Sequence, residues 1–247
     1  MRKLQAIILA GGKGTRLAPL TDNLPKPLVP ILGRPMIAYV FEHLRAAGIV
    51  DVAVSTAHLG HMIEDAFGDG SSVGMNVTYL REPEPMGTGG WTKLVDWESL
   101  DDRFLVLNAD NLFWIDVAAL LRRHDDVGGV ATIASITLPS ESVSAAELLV
   151  TNADRTRLEQ YVDRGVSHHL IAASPAVSIS SGWYVMTPHV RRFVDDTLPY
   201  SNEIHLWPAL AASGEAIGFY HATEPWFDSG THERLARVEE FLRARNV

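Results

Sequence analysis

The feature that most constrains this chain is a short, mainly apolar run without alternation, Leu4 to Leu9, in which Gln5 is the one polar residue and which ends in a loop holding Gly11, Gly12 and Gly14. A strand wetted on one face alternates apolar with polar residues. A run without alternation belongs in a sheet covered on both faces, as in parallel α/β architectures. Glycines directly after such a strand leave backbone N–H groups uncovered at the carboxyl edge of the sheet, where anions bind. The 247 residues are 47% hydrophobic and 21% charged, enough apolar material for one α/β domain with a sizeable core. The balance of 21 basic to 30 acidic residues, a net charge of −9, argues against nucleic acids and anionic membranes as partners. Any phosphate must then be held by a few placed cations and backbone donors. No cysteine occurs, which excludes disulfides, zinc–thiolate sites and cysteine nucleophiles. The apolar start is too short for a signal peptide or a membrane span, so a cytoplasmic protein is expected.

The rest of the first half repeats the theme. Met36 to Ala47 carries Met36, Ile37, Val40, Phe41 and Leu44 at helical spacing, with Pro35 ahead of it and Gly48 closing it. Strands are expected at Val52–Ser55, Val77–Leu80, Phe104–Leu107 and Val130–Ile136. Helices are expected at His61–Phe67, Trp91–Leu94 and Val117–His124. Strand alternating with helix implies a doubly wound, mostly parallel sheet. In the second half the spacing becomes hairpin-like, with strands expected at Leu148–Val150, Leu158–Val162, Ile179–Met186 and Ile217–Tyr220. A helix is expected over Asn202–Ala212, a terminal helix carries Leu235, Val238, Phe241 and Leu242, and Gly165 to Pro175 reads as a surface loop. No composition shift marks a boundary, so residues 1–247 are read as one domain with an appended β layer.

Two familiar phosphate loops fail on inspection. A Walker loop needs Ser or Thr after its lysine, but Gly14 follows Lys13; a dinucleotide fingerprint needs a third glycine where Leu17 stands. What remains is a glycine loop followed by Arg16 and, ten residues on, by Lys26 between Pro25 and Pro27. Only four lysines occur (Lys3, Lys13, Lys26, Lys93) against seventeen arginines, and two of the four fall in or just after this loop. Flanking prolines fix the backbone, so Lys26 is aimed. Arg16 and Lys26 are both read as exposed loop charges whose evident use is to meet phosphate.

This stretch, LAGGKGTRLAPLTDNLPKPLVPILGRP, resembles the signature of the sugar-1-phosphate nucleotidyltransferases. Later segments resemble further motifs of that family in order: EPEPMGTGG at 82–90, NAD at 108–110, GWYVM at 182–186 and WFDSGT at 226–231. The resemblance implies a Rossmann-like, doubly wound, mixed but mostly parallel sheet with a small β layer over the sugar; many members carry a left-handed β-helix after this domain, and none is expected here because the chain ends soon after WFDSGT. It implies transfer of a nucleotidyl group from a nucleoside triphosphate to a sugar 1-phosphate, releasing pyrophosphate. By this resemblance Asp110 and Asp228 hold Mg²⁺, Arg16 stabilises the leaving pyrophosphate and Lys26 binds phosphate. Arg16, Lys26 and Asp110 form the catalytic set. Leu9, Ala10, Gly11, Gly12, Gly14, Thr15, Gly87 and Thr88 hold the nucleotide, and Glu82 lies near its base or ribose. Asn108, Glu147, Asp163, Arg164 and Gly182 meet the sugar phosphate. The PKP and EPMGTGG segments look most like bacterial guanylyltransferases acting on mannose or heptose 1-phosphates. Uridylyl, thymidylyl and cytidylyl transfer stay open, as does a non-catalytic nucleotide-sugar sensor. A homodimer is considered as the assembly.

The chain departs from the family pattern at Ala109, where glycine is usual, and at Ser229, where an aliphatic is usual. Asp163-Arg164 stands for a Glu-Lys pair, and Arg can still grip a phosphate with two N–H groups. Glu147 falls near a glycine that commonly lines the sugar. His58 and His61 are read as capping or solvent-facing, His168 and His169 as loop residues, and Trp91, Trp97, Trp114 and Trp207 as packing.

Overall fold

The structure, a computed structural model, describes residues 3–143, 146–162, 164, 165 and 167–245. The chain runs β1 (Leu4–Leu9), a two-residue ribbon β2 (Pro30–Ile31) and β3 (Arg34–Pro35), α1 (Met36–Ala46), β4 (Asp51–Thr56), α2 (Gly60–Phe67) and β5 (Asn76–Arg81). β6 (Leu100–Asn108), β7 (Asn111–Phe113), α3 (Val117–Val127) and β8 (Ala131–Pro139) follow. Next come β9 (Leu148–Thr151), β10 (Leu158–Val162), α4 (His168–Ala173), β11 (Ala176–Met186) and α5 (Trp207–Ala212). The last elements are β12 (Ile217–His221), β13 (Trp226–Asp228) and α6 (His232–Ala244).

Among the described residues nine strands form one sheet. β5, β4, β1 and β6 lie parallel in that order, and Leu9 at the end of β1 is level with Ser55 of β4 and Asn108 of β6. Alternate side chains of β1 enter different cores. Ala6 and Ile8 pack with Met36, Ile37, Val40, Leu120, Val238 and Leu242 of the helices on one face. Ile7 packs with Trp91, Trp207 and Leu210 on the other. That two-sided burial is the reason the run shows no polar alternation. It also puts the carboxyl ends of β1, β4 and β6 side by side, with the glycine loop above them.

The appended β layer grows from β11, which runs antiparallel to β6 over residues 183–186 and then meets β9 at Ile179. β8 follows its other edge along nearly the whole length, with a register shift between Ser180 and Trp183. Gly182 sits at that shift with φ +79, and a Cβ there would lie 2.2 Å from Asn111 Nδ2 and 2.6 Å from Asn108 Nδ2. Gly182→Ala is therefore expected to cost about 2–4 kcal/mol, from the left-handed backbone and the clash together. An unchanged melting temperature for that variant would overturn this role for the glycine.

Two expectations need correcting. Trp91–Leu94 is not an α-helix: Trp91–Lys93 belong to a single 3₁₀ turn, Gly90–Lys93, which ends at Leu94, is opened by Gly89 and Gly90, and is closed on itself by the Thr92 hydroxyl, which donates to the Gly89 carbonyl at 2.7 Å. The Gly165–Pro175 segment is not a plain surface loop. It contains α4, which buries Ile171 against Val143, Leu148 and Val177 while His168 and His169 stay exposed. The tryptophans pack as expected, with Trp91 and Trp207 fully buried. No described helix is long and apolar enough to cross a membrane.

Candidate active site

A cleft of about 290 Å³ opens at the carboxyl edge of the sheet. Its walls are Leu9, Ala10, Gly11 and Gly12 from the glycine loop, Lys26 and Pro27, Glu82, Pro85, Gly87 and Thr88 from the second loop, and Asn108, Ala109 and Asp110 after β6. Gly12 faces open space, with nothing within 4 Å of where a Cβ would stand. Sequence positions 9 to 110 thus converge on one hollow because β1 is flanked by β4 and β6.

Lys26 is not an exposed loop charge. It opens a 3₁₀ turn between its prolines, is 6% exposed, and its Nζ lies 2.5 Å from Asp110 Oδ2. The glycine loop rests on its stem. Gly14 adopts φ +65, the Thr21 hydroxyl donates to its carbonyl at 2.9 Å, and a Cβ on Gly14 would touch Lys26 Cβ at 3.0 Å. The cation and the carboxylate therefore face the cleft as a fixed pair.

Asp228 comes to Asp110 through the β13–β7 ribbon, in which Asp228 is level with Asn111. Ser229, fully buried, fastens the two backbones. Its N–H donates to the Asp110 carbonyl at 3.2 Å and its hydroxyl donates to the same oxygen at 2.6 Å. Asp228 Oδ1 accepts the Gly230 N–H at 2.8 Å, and Oδ2 pairs with Arg234. Arg16 is exposed and lies over Gly230. Its Nη2 and Asp228 Oδ1 are each 2.7 Å from where a Gly230 Cβ would project, so a side chain there would displace one of them. Two carboxylates with cations on either side make a donor set of hard oxygens. Among the described residues no third His, Asp or Glu joins them as a metal cluster. Such a pair fits Mg²⁺, which keeps several waters and takes its remaining ligands from phosphates.

Glu82 lines the cleft, but its carboxylate is engaged inward, accepting the Ser55 hydroxyl through Oε1 and the Met86 N–H through Oε2, each at 2.8 Å. It shapes the second loop. Thr15 is exposed at the start of the short turn that carries Arg16. Of the residues expected to meet the sugar phosphate, the structure brings Gly182 against Asn108, while Glu147 and Arg164 pair with each other at 3.2 Å outside the cleft walls. Asp163 lies outside the described residues. His58 and His61 face solvent, and neither caps α2. The sequence reading missed Asn111, whose amide donates to the Ser181 carbonyl at 2.8 Å, and Arg234. It also missed the group Ser201, Asn202 and Glu203 behind Thr88. Their one sequence signal is a serine with an acid two residues on, the mark of a helix start, and Ser201 does cap the turn that follows.

The sequence pattern of the Nucleotidyl transferase family matches residues 5–245. The mannose-1-phosphate guanylyltransferase of Mycobacterium tuberculosis is 31% identical over 240 residues, 95% of this chain and 63% of that protein. The UTP–glucose-1-phosphate uridylyltransferase of Synechocystis is 30% identical over 238 residues, 92% of this chain and 60% of that protein. The chain thus spans about three fifths of the length of these curated relatives. Among solved structures, HddC from Yersinia pseudotuberculosis complexed with GMP-PN superposes with a TM-score of 0.77 at 23% identity, covering 97% of this chain and 99% of that one. UDP-glucose pyrophosphorylase from Acinetobacter baumannii gives 0.80 at 21% identity, covering 98% and 93%. The likeness of fold and the match over almost the whole chain give the same answer: this chain belongs to the Nucleotidyl transferase family.

Proposed function

We propose that the chain transfers a nucleotidyl group from a nucleoside triphosphate to a sugar 1-phosphate. A phosphate oxygen of the sugar phosphate bonds to the α-phosphorus, the bond from that phosphorus to the β-phosphate oxygen breaks, and pyrophosphate leaves. The observation that carries this reading is the Lys26–Asp110 pair in the wall of the glycine-loop cleft, with Asp228 fastened beside it through Ser229. Two anions must meet in this reaction, so catalysis is chiefly positioning and charge neutralisation. Backbone N–H groups at Gly11 and Gly12 would receive the triphosphate. Lys26 would offset charge at the reacting phosphates, and Arg16 would hold the departing pyrophosphate. Asp110 and Asp228 would hold Mg²⁺, which when bound supplies Lewis-acid neutralisation of phosphate charge. Gly182 and Asn108 would shape the sugar side, with Arg164 and Glu147 at its margin.

GTP with a mannose- or heptose-type 1-phosphate is the favoured pair, supported by names among the relatives: the Mycobacterium guanylyltransferase and a D-glycero-alpha-D-manno-heptose 1-phosphate guanylyltransferase of Aneurinibacillus thermoaerophilus, 38% identical over 121 residues, 49% of this chain and 52% of that protein. Pyrophosphate release measured with GTP, UTP, dTTP, CTP and ATP against mannose, heptose and glucose 1-phosphates is expected to give the highest kcat/KM with GTP. A preference for UTP or dTTP beyond about tenfold, roughly 1.4 kcal/mol in transition-state binding, would overturn the base assignment and leave the reaction class standing. No turnover of any pair would remove the class itself.

A further inference from the structure

Residues 200–203 run behind the second loop of the cleft as a short piece of ladder. The Tyr200 N–H donates to the Met86 carbonyl at 2.8 Å, and the Gly89 N–H donates to the Tyr200 carbonyl at 2.8 Å. The two segments touch without slack, since a Cβ on Gly87 (φ +87) would stand 2.4 Å from the Tyr200 carbonyl oxygen. Thr88 is held at three points. The Asn202 N–H donates to its Oγ1 at 2.9 Å, the Asn202 side-chain amide donates to its carbonyl at 2.9 Å, and its own hydroxyl donates to Glu203 Oε2. The Ser201 hydroxyl donates to that same carboxylate oxygen at 2.8 Å. The Thr88 side chain and carbonyl are thus both engaged from behind the loop.

The far end of the anchor is rigid. The turn Asn202–Leu206 runs straight into α5, where the buried Trp207 packs on Tyr184 of β11 with ring centroids 4.9 Å apart. Burial raises the pKa of the Tyr184 and Tyr161 phenols, and the negative charge of Glu203 raises both further. The loop itself holds Gly87, Gly89 and Gly90 and has little stiffness of its own.

We propose that Glu203 is a positioning residue that fixes the nucleotide loop by holding the Thr88 hydroxyl. The proposal rests on the nucleotidyl-transfer reading. Without the anchor, the ordering of a glycine-rich loop falls on the binding step, so affinity for the triphosphate drops while Lys26 and Asp110 stay in place. Calorimetric titration of the intact chain with GTP, and with UTP in parallel, tests this, using the tighter binder as the probe. Glu203→Ala is expected to weaken binding about tenfold or more, with kcat at saturation within about threefold, and Thr88→Val is expected to weaken binding by a comparable factor. Glu203→Gln, which keeps an acceptor, is expected to stay within about threefold of wild type. The double variant should bind about as Thr88→Val does, because that change already removes the Thr88–Glu203 contact along with the acceptor of the Asn202 N–H. If Glu203→Ala fails to fold, Thr88→Val decides. Wild-type affinity in Thr88→Val, or a loss in Glu203→Ala confined to melting temperature, overturns the anchor alone. A wild-type chain that binds neither triphosphate overturns the functional reading and the anchor with it.

Discussion

Asp110→Asn is expected to lower kcat/KM by about a thousandfold, roughly 4 kcal/mol of transition-state stabilisation, while the variant melts within a few degrees of wild type. Asparagine keeps the shape and leaves a carbonyl oxygen for Lys26 Nζ, which now sits 2.5 Å from Asp110 Oδ2. The Asp110 side chain is 33% exposed, and the Lys26 ammonium, whose side chain is 8% exposed, loses its counter-charge but keeps that oxygen as an acceptor, so the stability cost stays small. Its backbone carbonyl, fixed by the Ser229 N–H and hydroxyl, is untouched. What disappears is one of the two negative charges proposed to hold Mg²⁺ beside the triphosphate. Pyrophosphate release over a range of MgCl₂ concentrations should show the loss at every concentration, and Mn²⁺ binding to the variant with GTP should weaken in parallel. Full activity of Asp110→Asn in Mg²⁺ would sink the metal assignment.

The elements legible in the sequence were those whose local pattern and tertiary burial agree. From Ala6 to Leu9 β1 is apolar because Ile7 faces one core and Ala6 and Ile8 the other, and the expected Leu4–Leu9 strand is found at those residues. The second-half strand Leu158–Val162 is likewise found where its spacing places it. α4 was missed because one buried residue, Ile171, gives no periodicity to read in six residues. The β13–β7 ribbon is three residues per strand, and its pairing of Asp228 with Asn111 joins positions more than a hundred apart. No local signal carries such a pairing.

At the site, ordered motifs placed the cleft walls, since residues fixed by strand ends move with the sheet. The state of each charge was not legible. Lys26 reads as a loop cation in a Pro-Lys-Pro segment, yet the packing of Gly14 on its stem buries it. Glu82 is read, by resemblance, as lying near the base or ribose, yet both its oxygens brace the Ser55–Met86 connection. Ser229 looked like a departure from a pattern and proves to be the fastening between the two aspartate backbones. Partners of this kind depend on three-dimensional neighbours, which no spacing rule encodes.

Lys26 and Arg16 should separate in how they fail. Arg16 is exposed beside Gly230, so Arg16→Ala is expected to melt as wild type does while kcat/KM falls about a hundredfold, the scale of a lost oxyanion donor. Lys26→Ala removes a buried stem from under the glycine loop and leaves Asp110 unpaired. It is therefore expected to lose at least as much activity and, in addition, about 2–3 kcal/mol of stability. Lys26→Met distinguishes charge from packing, because its unbranched side chain refills most of the space against Gly14 without supplying a cation. Its melting temperature should recover most of the loss in Lys26→Ala, and its kcat/KM should not. Denaturation curves and initial rates on the three variants decide the matter. Recovery of turnover in Lys26→Met would make Lys26 a packing residue, and a collapsed melting temperature in Arg16→Ala would make Arg16 structural.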